Sequence, residues 1–193
     1  PPPQTVRRQR QMCIRDSGHP VDAKESLSLK NLSGIVDYQP EELVPVVKAG
    51  TPLDEIEKTL SEKNQMLAFE PPHLERFYGT EGTGTIGGLV ATNLSGPRRV
   101  SAGAARDFLL GFAAVSGRGD VFKSGSRVMK NVTGYDLSKL MCGSFGTLAV
   151  MTEITLKVLP CPETSSSLSL LCDTIDSAPV SYTHLTLPTN GLG

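Results

Sequence analysis

The sequence predicts an α+β fold in which strands and short helices follow one another without a regular βαβ repeat. From Leu148 to Val158 apolar and polar side chains alternate, which is typical of a half-buried strand. Leu53, Ile56 and Leu60 recur with the spacing of one helical face. Between these two patterns, residues 82–96 are rich in glycine, which predicts close approaches of the backbone to a neighbour or a ligand.

Composition excludes several classes of protein. The 193 residues suit one domain, and 38% hydrophobic residues are enough to bury a core. A net charge of -1 and scattered basic residues predict no nucleic-acid partner. No apolar run approaches the roughly 18–20 residues of a membrane span, so we expect no transmembrane segment. Four irregularly spaced cysteines and three distant histidines give no metal-ligand pattern, and we predict no metal site and reduced thiols.

The two ends differ in character from the middle. Residues 1–17 contain MCIRDS and residues 179–193 contain VSYTHLTLPT, strings that resemble translated sequencing-adapter sequence. We interpret both ends as non-native tails, with genuine disordered tails as the alternative. Residues 18–178 are then the partial domain on which the fold prediction rests.

The first half of that middle part predicts two strands and a helix. Ile35–Tyr38 is a β-prone run, and Leu43–Ala49 is a second strand whose Pro45 predicts an edge or a bulge. Thr51 followed by proline and acidic residues is a helix start, so we expect Thr51 to be the N-cap. The helix should end near Asn64.

The second half predicts a hairpin, a short helix and the alternating strand. Phe108–Val115 is a strand that turns through 116–119 and returns over 121–123. Asp136 is placed to be the N-cap of a short helix that reaches Cys142. The alternating strand follows and stops at Pro160.

The segment 82–87 matches the G-x-G-x-x-G motif of dinucleotide-binding folds, and three readings compete. A Rossmann site needs a strand directly before the motif, but two prolines and several charges precede it. Asp107 also lies before a strand rather than at the end of one. A surface loop without a ligand is the second reading. The third, which we prefer, is a helix capped by Thr85 whose free N–H groups face an anion.

Four stretches resemble a known family of flavoproteins, and they occur in the same order: GTIGGLVATNLSGPRR, AARDFLLG, VMKNVTGYDLSKLMCGSFGTL and VMTEITLKVLP. They are similar to the FAD-binding subunits of bacterial glycolate oxidases, within the vanillyl-alcohol oxidase and p-cresol methylhydroxylase family. The similarity runs from about Leu27 to about Pro162. It implies a p-cresol methylhydroxylase-type FAD-binding domain. We expect it to be truncated, without its first pyrophosphate loop and its C-terminal cap domain.

The resemblance also implies the residues that bind FAD. The TIGG segment would lie along the pyrophosphate and ribityl chain, a turn after it would close the pocket, the GYD segment would approach the flavin, and the GTL segment would lie near the cofactor. For Tyr135 and Asp136 the alternatives are a packed aromatic and a plain N-cap, and for Gly146 a turn glycine. The predicted set is Gly84, Thr85, Ile86, Gly87, Gly88, Asn93, Ser95, Gly96, Gly134, Tyr135, Asp136, Gly146, Thr147, Leu148 and Val150.

The function implied is oxidation of a 2-hydroxy acid to a 2-oxo acid, with electrons passing through FAD to partner subunits. The partners would be a catalytic FAD subunit and an iron–sulfur subunit. The location would be cytoplasmic, with any attachment to the inner membrane made through those partners. Two alternatives stay open: a non-catalytic assembly subunit of the same complex, and a stand-alone dehydrogenase of the D-lactate type.

No residue of this sequence is predicted to be catalytic. His19 and His73 fall in loops, and His184 falls in the adapter-like end. Because we expect the substrate-capping domain to be missing, we name no substrate-binding residue either. For the glycine segment, we expect Gly87→Val to block FAD by placing a branched side chain where phosphate oxygens belong.

Overall fold

The computed structural model describes residues 27–75, 79, 82–125 and 135–164. The chain divides into two compact units, Pro1–Cys161 and Pro162–Gly193. All helices and strands below lie in the first unit, whereas 162–164 are the only described residues of the second. The adapter-like ends and the boundary at residue 178 lie outside the described residues.

The main sheet has five strands in the order β1-β2-β6-β4-β5, and every neighbouring pair is antiparallel. A small second sheet pairs β3 with β7. The strands are β1 Ile35–Gln39, β2 Val44–Lys48, β3 Gln65–Met66, β4 Leu109–Ser116, β5 Val121–Gly125, β6 Ala149–Leu156 and β7 Leu159–Pro160.

Five short α-helices and one 3₁₀ turn, Pro40–Glu42, connect these strands in the described part of the chain. The helices are α1 Leu53–Ser61, α2 Ile86–Thr92, α3 Arg99–Ala102, α4 Ala105–Phe108 and α5 Leu137–Met141. Helix α1 packs against β3, α2 against β6, and α5 against β4 and β5. The mixture of an antiparallel sheet and separate helices confirms the predicted α+β class.

The core lies where α1, α2 and α4 meet the sheet. Leu53, Ile56 and Leu60 of α1 are buried, as their spacing predicts. Phe69 and Phe108 pack with ring centroids 5.5 Å apart at the centre of the cluster. Each fully buried side chain of this size contributes up to about 1.5–3 kcal/mol through removal from water. This packing holds the start of α2 against the end of β2.

Two predictions about the first half were wrong in detail. Thr51 is not the N-cap of α1, because the helix begins after Pro52 and the buried Thr51 hydroxyl is used elsewhere. Its Oγ1 donates to Lys48 O at 2.7 Å and accepts from Gly34 N at 2.9 Å. For Pro45, the edge alternative is wrong because β1 and β6 flank β2, whereas the β1–β2 pairing does contain a bulge or irregularity, between Ile35 and Asp37 of β1. Proline is tolerated there because pairing with β6 begins one residue later, at Val46.

The caps and the hairpin of the second half are confirmed. Thr85 caps α2, and its Oγ1 accepts from Gly88 N at 3.3 Å. Asp136 caps α5, and its Oδ1 accepts from Lys139 N at 3.1 Å. The β4–β5 hairpin forms as expected, although Phe108 ends α4 instead of starting β4. Beyond β6, Pro160 joins the short strand β7.

Candidate functional site

A cavity of about 280 Å³ opens between the end of β2, the start of α2 and the start of β6. This volume is close to the lower end of the roughly 300–1,000 Å³ typical of ligand pockets. Four glycines contribute to its wall, so much of that wall is backbone. The lining residues are Leu27, Ser28, Leu29, Lys30, Ala49, Gly50, Thr85, Gly87, Gly88, Ala91, Phe145, Gly146, Ala149, Val150 and Met151.

Two of these glycines allow the walls of the cavity to meet. A Cβ on Gly87 would lie 2.6 Å from Ala49 O, and a Cβ on Gly50 would lie 2.0 Å from Leu29 O. No side chain larger than hydrogen fits at either distance, so α2, β2 and the segment before β1 are in contact through bare backbone. The same contacts bring Leu29 and its neighbours to the rim of the cavity.

The prediction that α2 offers free N–H groups to an anion was wrong for its first three residues. Ile86 N donates to Thr51 O at 3.0 Å, and Gly87 N donates to Ala49 O at 2.8 Å. Gly88 N donates to the cap hydroxyl of Thr85 at 3.3 Å. Because the strand end and the cap already satisfy these donors, they fix the helix in place and leave no open anion nest there.

The Gly87→Val prediction needs a corresponding correction. The side-chain direction of Gly87 points at the backbone of Ala49, not into open space. A valine at this position would therefore push α2 away from β2. Any loss of cofactor in that variant would follow from disturbed packing rather than from a direct clash with phosphate.

The loop before β6 forms the opposite wall. It is held on α2 by two hydrogen bonds, from Gly143 N to Val90 O at 3.1 Å and from Phe145 N to Ala91 O at 2.8 Å. Phe145 and Gly146 both have left-handed backbone, with φ of 55° and 71°. Nothing lies within 4 Å of a Cβ built on Gly146, so this glycine is required by its conformation and not by crowding.

The predicted site residues fall into three groups. Thr85, Gly87, Gly88, Gly146 and Val150 line the cavity together. Gly84, Ile86, Asn93, Ser95, Gly96, Tyr135, Asp136, Thr147 and Leu148 do not line it. Gly134 lies outside the described residues.

Asn93, Ser95 and Gly96 make contacts that stabilise the fold next to the cavity-lining helix α2. Asn93 Oδ1 accepts from Arg106 N at 3.0 Å, and Ser95 Oγ accepts from Ala105 N at 2.9 Å, so both side chains hold the start of α4. Gly96 N donates to Phe69 O at 2.9 Å, and a Cβ on this glycine would lie 2.4 Å from Glu70 O. These residues tie the turn after α2 to its neighbours.

The remaining predicted residues lie in the core or at the surface. Ile86 is fully buried, and Gly84 O accepts from Leu53 N at 2.8 Å. Tyr135 is 92% exposed, which excludes the packed-aromatic alternative. Asp136 is an N-cap, as its alternative reading proposed. Thr147 donates to Ser144 O at 2.6 Å and is exposed, as is Leu148.

Sequence reasoning missed several lining residues. Lys30 and its neighbours precede β1 and carry no motif, and Phe145 is an ordinary aromatic residue between Ser144 and Gly146 in the sequence. Of the missed residues, only Gly50 could have been predicted from the sequence, because a glycine directly after a strand and before a helix start indicates a close backbone approach. Among the described residues that line the cavity, Lys30 alone carries a charge.

None of the described titratable groups with a shifted pKa lines the cavity. Burial raises the pKa of the Cys142 thiol to about 12, with a smaller opposing effect of Arg106. His73 lies between Glu57 and Glu75, at 3.2 Å from a carboxylate oxygen of each. Burial raises the pKa of Glu57, and His73 partly opposes this. No described group of three His, Cys, Asp or Glu side chains is arranged to hold a metal ion.

The described residues suit a phosphate-bearing cofactor. Much of the cavity wall is backbone, open space lies where a Cβ on Gly146 would stand, and Lys30 supplies a positive charge. In the adjacent loop, Ser144 Oγ is buried without a hydrogen-bond partner in the structure. The antiparallel sheet excludes the parallel Rossmann fold, so a nucleotide cofactor at this glycine-lined cavity would be held by a domain of another type.

Comparison with known proteins identifies the family. A family model described as "FAD binding domain" matches residues 15–125. This chain therefore belongs to the FAD-binding domain family, and FAD is its cofactor. The predicted resemblance to glycolate oxidase subunits and the p-cresol methylhydroxylase-type fold class are confirmed.

Individual relatives agree with this assignment. Glycolate oxidase subunit GlcE of Escherichia coli (strain K12) is 50% identical over 151 residues, which are 78% of this chain and 41% of the relative. D-lactate dehydrogenase of Anaerostipes hadrus is 35% identical over 84% of this chain and 33% of the relative. Glycolate oxidase subunit GlcD of Bacillus subtilis (strain 168) is 31% identical over 82% of this chain and 32% of the relative. The chain thus spans well under half the length of these relatives.

A solved structure supports the fold alone. Alkyldihydroxyacetonephosphate synthase superposes with a TM-score of 0.55 at 24% identity, over 70% of this chain and 23% of that structure. In the described part of the chain, no helix is long and apolar enough to cross a membrane.

Proposed function

We propose that this chain supplies FAD-binding structure to a glycolate oxidase subunit, an enzyme component that oxidises a 2-hydroxy acid to a 2-oxo acid. The observation that carries the proposal is the glycine-walled cavity, in which Thr85, Gly87 and Gly88 face Gly146 and Val150. The GlcE relative, at 50% identity, indicates the glycolate oxidase type. When bound, FAD accepts two electrons from the substrate and passes them on, while the protein binds and orients the cofactor.

The cavity-lining residues would each contribute backbone contacts. Thr85 caps α2 and thereby fixes Gly87 and Gly88, whose backbone lies at the cavity wall where FAD would bind. Gly146 gives the facing loop its left-handed turn. The residues of the predicted set that lie off the cavity, from Gly84 and Ile86 to Thr147 and Leu148, remain proposed contacts for parts of FAD that extend beyond it.

Partners and location form part of the same proposal. The names of the GlcE and GlcD relatives describe subunits of glycolate oxidase. By analogy, this chain would work with a catalytic FAD subunit and an iron–sulfur subunit in the cytoplasm, reaching the inner membrane only through them. No described residue is assigned a catalytic role, which fits either a catalytic base outside the described residues or a subunit that relays electrons beside a sister that oxidises the substrate.

The test is flavin content followed by substrate reduction. We expect the full-length protein to purify yellow, with one FAD for each chain. In the assembled complex, we expect glycolate to bleach its flavin absorbance. A colourless protein that takes up no FAD would contradict the proposal.

Two other functions have distinct signatures in the same experiment. If the assembled complex oxidises glycolate while the FAD of this subunit is never reduced, the non-catalytic assembly role gains support. The D-lactate dehydrogenase relative at 35% identity keeps the stand-alone dehydrogenase open. Dehydrogenase activity from a single purified chain without partners would establish that alternative.

A further inference from the structure

The charge of the FAD pyrophosphate needs a counterpart in the cavity. This step rests on the proposed function, because it assumes that FAD lies against Thr85, Gly87 and Gly88. The pyrophosphate carries negative charge, and transfer of such charge out of water is costly unless a donor or cation compensates it. The first N–H groups of α2, the usual source, are already bonded to Thr51 O, Ala49 O and Thr85 Oγ1. Among the described residues that line the cavity, the counter-charge must therefore come from a group other than these three N–H donors.

Lys30 is placed to do so. It lines the cavity with Thr85 and Gly88, and no other described lining residue is charged. Its side chain is exposed and has no carboxylate within ion-pair distance among the described residues. An ammonium group on a flexible stem, free of an internal partner, is available to a phosphate.

The backbone around Lys30 is firmly held. Leu32 N donates to Leu29 O at 2.9 Å, which closes a turn around Lys30. Gly50 N donates to Leu32 O at 2.8 Å, and the missing side chain of Gly50 lets Leu29 O lie against it. The turn is thereby fixed to the strand end that also anchors α2. The position of Lys30 relative to the glycines of α2 is consequently set by the fold.

We propose that the Lys30 ammonium is the counter-charge for the FAD pyrophosphate and a determinant of FAD affinity in this chain. It acts by charge-assisted hydrogen bonding to phosphate oxygens and takes no part in the redox step. The Gly50–Leu29 contact serves this role by holding the Lys30 turn at the cavity.

The experiment measures FAD affinity of the full chain by flavin fluorescence titration at low and high ionic strength. The variants are Lys30→Met, Lys30→Arg and the control Lys63→Met, which removes an exposed lysine after α1. We expect Lys30→Met to weaken FAD binding about tenfold, which corresponds to a loss of about 1.4 kcal/mol of binding free energy. Its affinity should also depend less on salt. Lys30→Arg should stay within about threefold of the parent, and Lys63→Met should bind like the parent.

Each outcome decides the proposal. Equal FAD affinity of Lys30→Met and the parent would overturn it, as would an equal loss in Lys63→Met. Because Lys30 is exposed, its substitution should leave thermal unfolding unchanged, and Lys30→Gln replaces Lys30→Met if the latter melts early. Failure of the parent chain itself to bind FAD would overturn the proposed function, and with it this inference. Binding by the parent with no effect at Lys30 would overturn the inference alone.

Discussion

The absence of a side chain at Gly87 is what allows α2 to pack against the end of β2. Its Cα faces the backbone of Ala49, where an added Cβ would lie 2.6 Å from the carbonyl oxygen. The glycine is needed for a helix to rest directly on a strand end. Its position beside the cavity is a consequence of that contact.

We expect Gly87→Ala to lower the free energy of unfolding by about 1–3 kcal/mol, as overpacking against a backbone does. The measurement is urea denaturation of the chain without added flavin. Gly117→Ala is the matched control, because nothing lies within 4 Å of its added Cβ. A Gly87→Ala variant as stable as Gly117→Ala would mean that α2 can move off β2 without cost.

The described cysteines should differ sharply in reactivity. Burial raises the pKa of Cys142 to about 12, so its thiol stays protonated at neutral pH, whereas Cys161 is exposed. We expect iodoacetamide at pH 8 to modify Cys161 and to spare Cys142 in the folded chain. Peptide mass spectrometry reads both sites, and denatured chain serves as the control. Rapid labelling of Cys142 in the folded chain would contradict its burial.

The same thiol predicts a loss of stability in alkali. A thiol that ionises near 8.5 in the unfolded chain and near 12 in the folded chain favours unfolding as pH rises through that interval. The stabilisation is complete below about pH 8.5 and falls by up to about 1.4 kcal/mol for each pH unit above it. Urea denaturation at a series of pH values should show a shallower decline for Cys142→Ala. An identical decline in both proteins would assign the effect to other groups.

At the scale of elements, Asn93 connects three parts of the chain. It ends α2 with left-handed backbone at φ 53°, its Oδ1 accepts from Arg106 N, and Cys142 Sγ lies 3.5 Å from the same oxygen. Asparagine tolerates this conformation better than most residues, and its side chain supplies the acceptor that α4 needs at its start.

Substitutions at Asn93 should separate the contribution of its left-handed backbone from that of its side-chain acceptor. Asn93→Gly keeps the backbone conformation and loses the acceptor, whereas Asn93→Ala loses the acceptor and adds strain. We expect losses of about 1 kcal/mol for glycine and about 2 kcal/mol for alanine in thermal or urea unfolding. Asn93→Asp, which keeps an acceptor, is the control and should be the most stable of the three. A reversed order of glycine and alanine would show that the backbone conformation is unimportant.

Local sequence signals predicted most helices and strands, but they could not predict hydrogen bonds between residues that are far apart in the chain. The Thr85 and Asp136 caps, the hairpin and the buried face of α1 follow from short-range spacing, and all are confirmed. Thr51 has the same local signature as a cap. Its hydroxyl instead bonds Gly34, seventeen positions away, and no local pattern contains that contact.

The candidate site was predictable only where a motif marked it. The glycines of α2 and Gly146 stand out by composition, and the structure brings them to one cavity. Lys30 could not be found in this way, because its place depends on the contact of Leu29 with Gly50. The sequence predicted free N–H groups at the start of α2, because their acceptors, Thr51 O and Ala49 O, belong to another part of the chain.

For the whole molecule, FAD should act as a stabilising ligand. A ligand that binds the folded chain alone adds about 2.7 kcal/mol at a free concentration 100 times its dissociation constant. We expect the thermal midpoint to rise steadily with added FAD, as measured by differential scanning calorimetry. NAD is the control ligand, because a Rossmann site would bind it and this cavity should not. An equal rise of the thermal midpoint with NAD would contradict a cavity specific for FAD and would favour a Rossmann-type site.

The order of strands in the sheet also has a consequence for how the chain is made. Strand β6, Ala149–Leu156, lies between β2 and β4, which end some 100 and 30 residues earlier in the chain. During synthesis, β2 and β4 therefore leave the ribosome without the strand that joins them. Each presents an unpaired edge to other nascent chains until β6 emerges. The sheet can close only near the end of translation of this region, so a ribosome pause before Leu156 should leave the chain most exposed to aggregation and to chaperone capture.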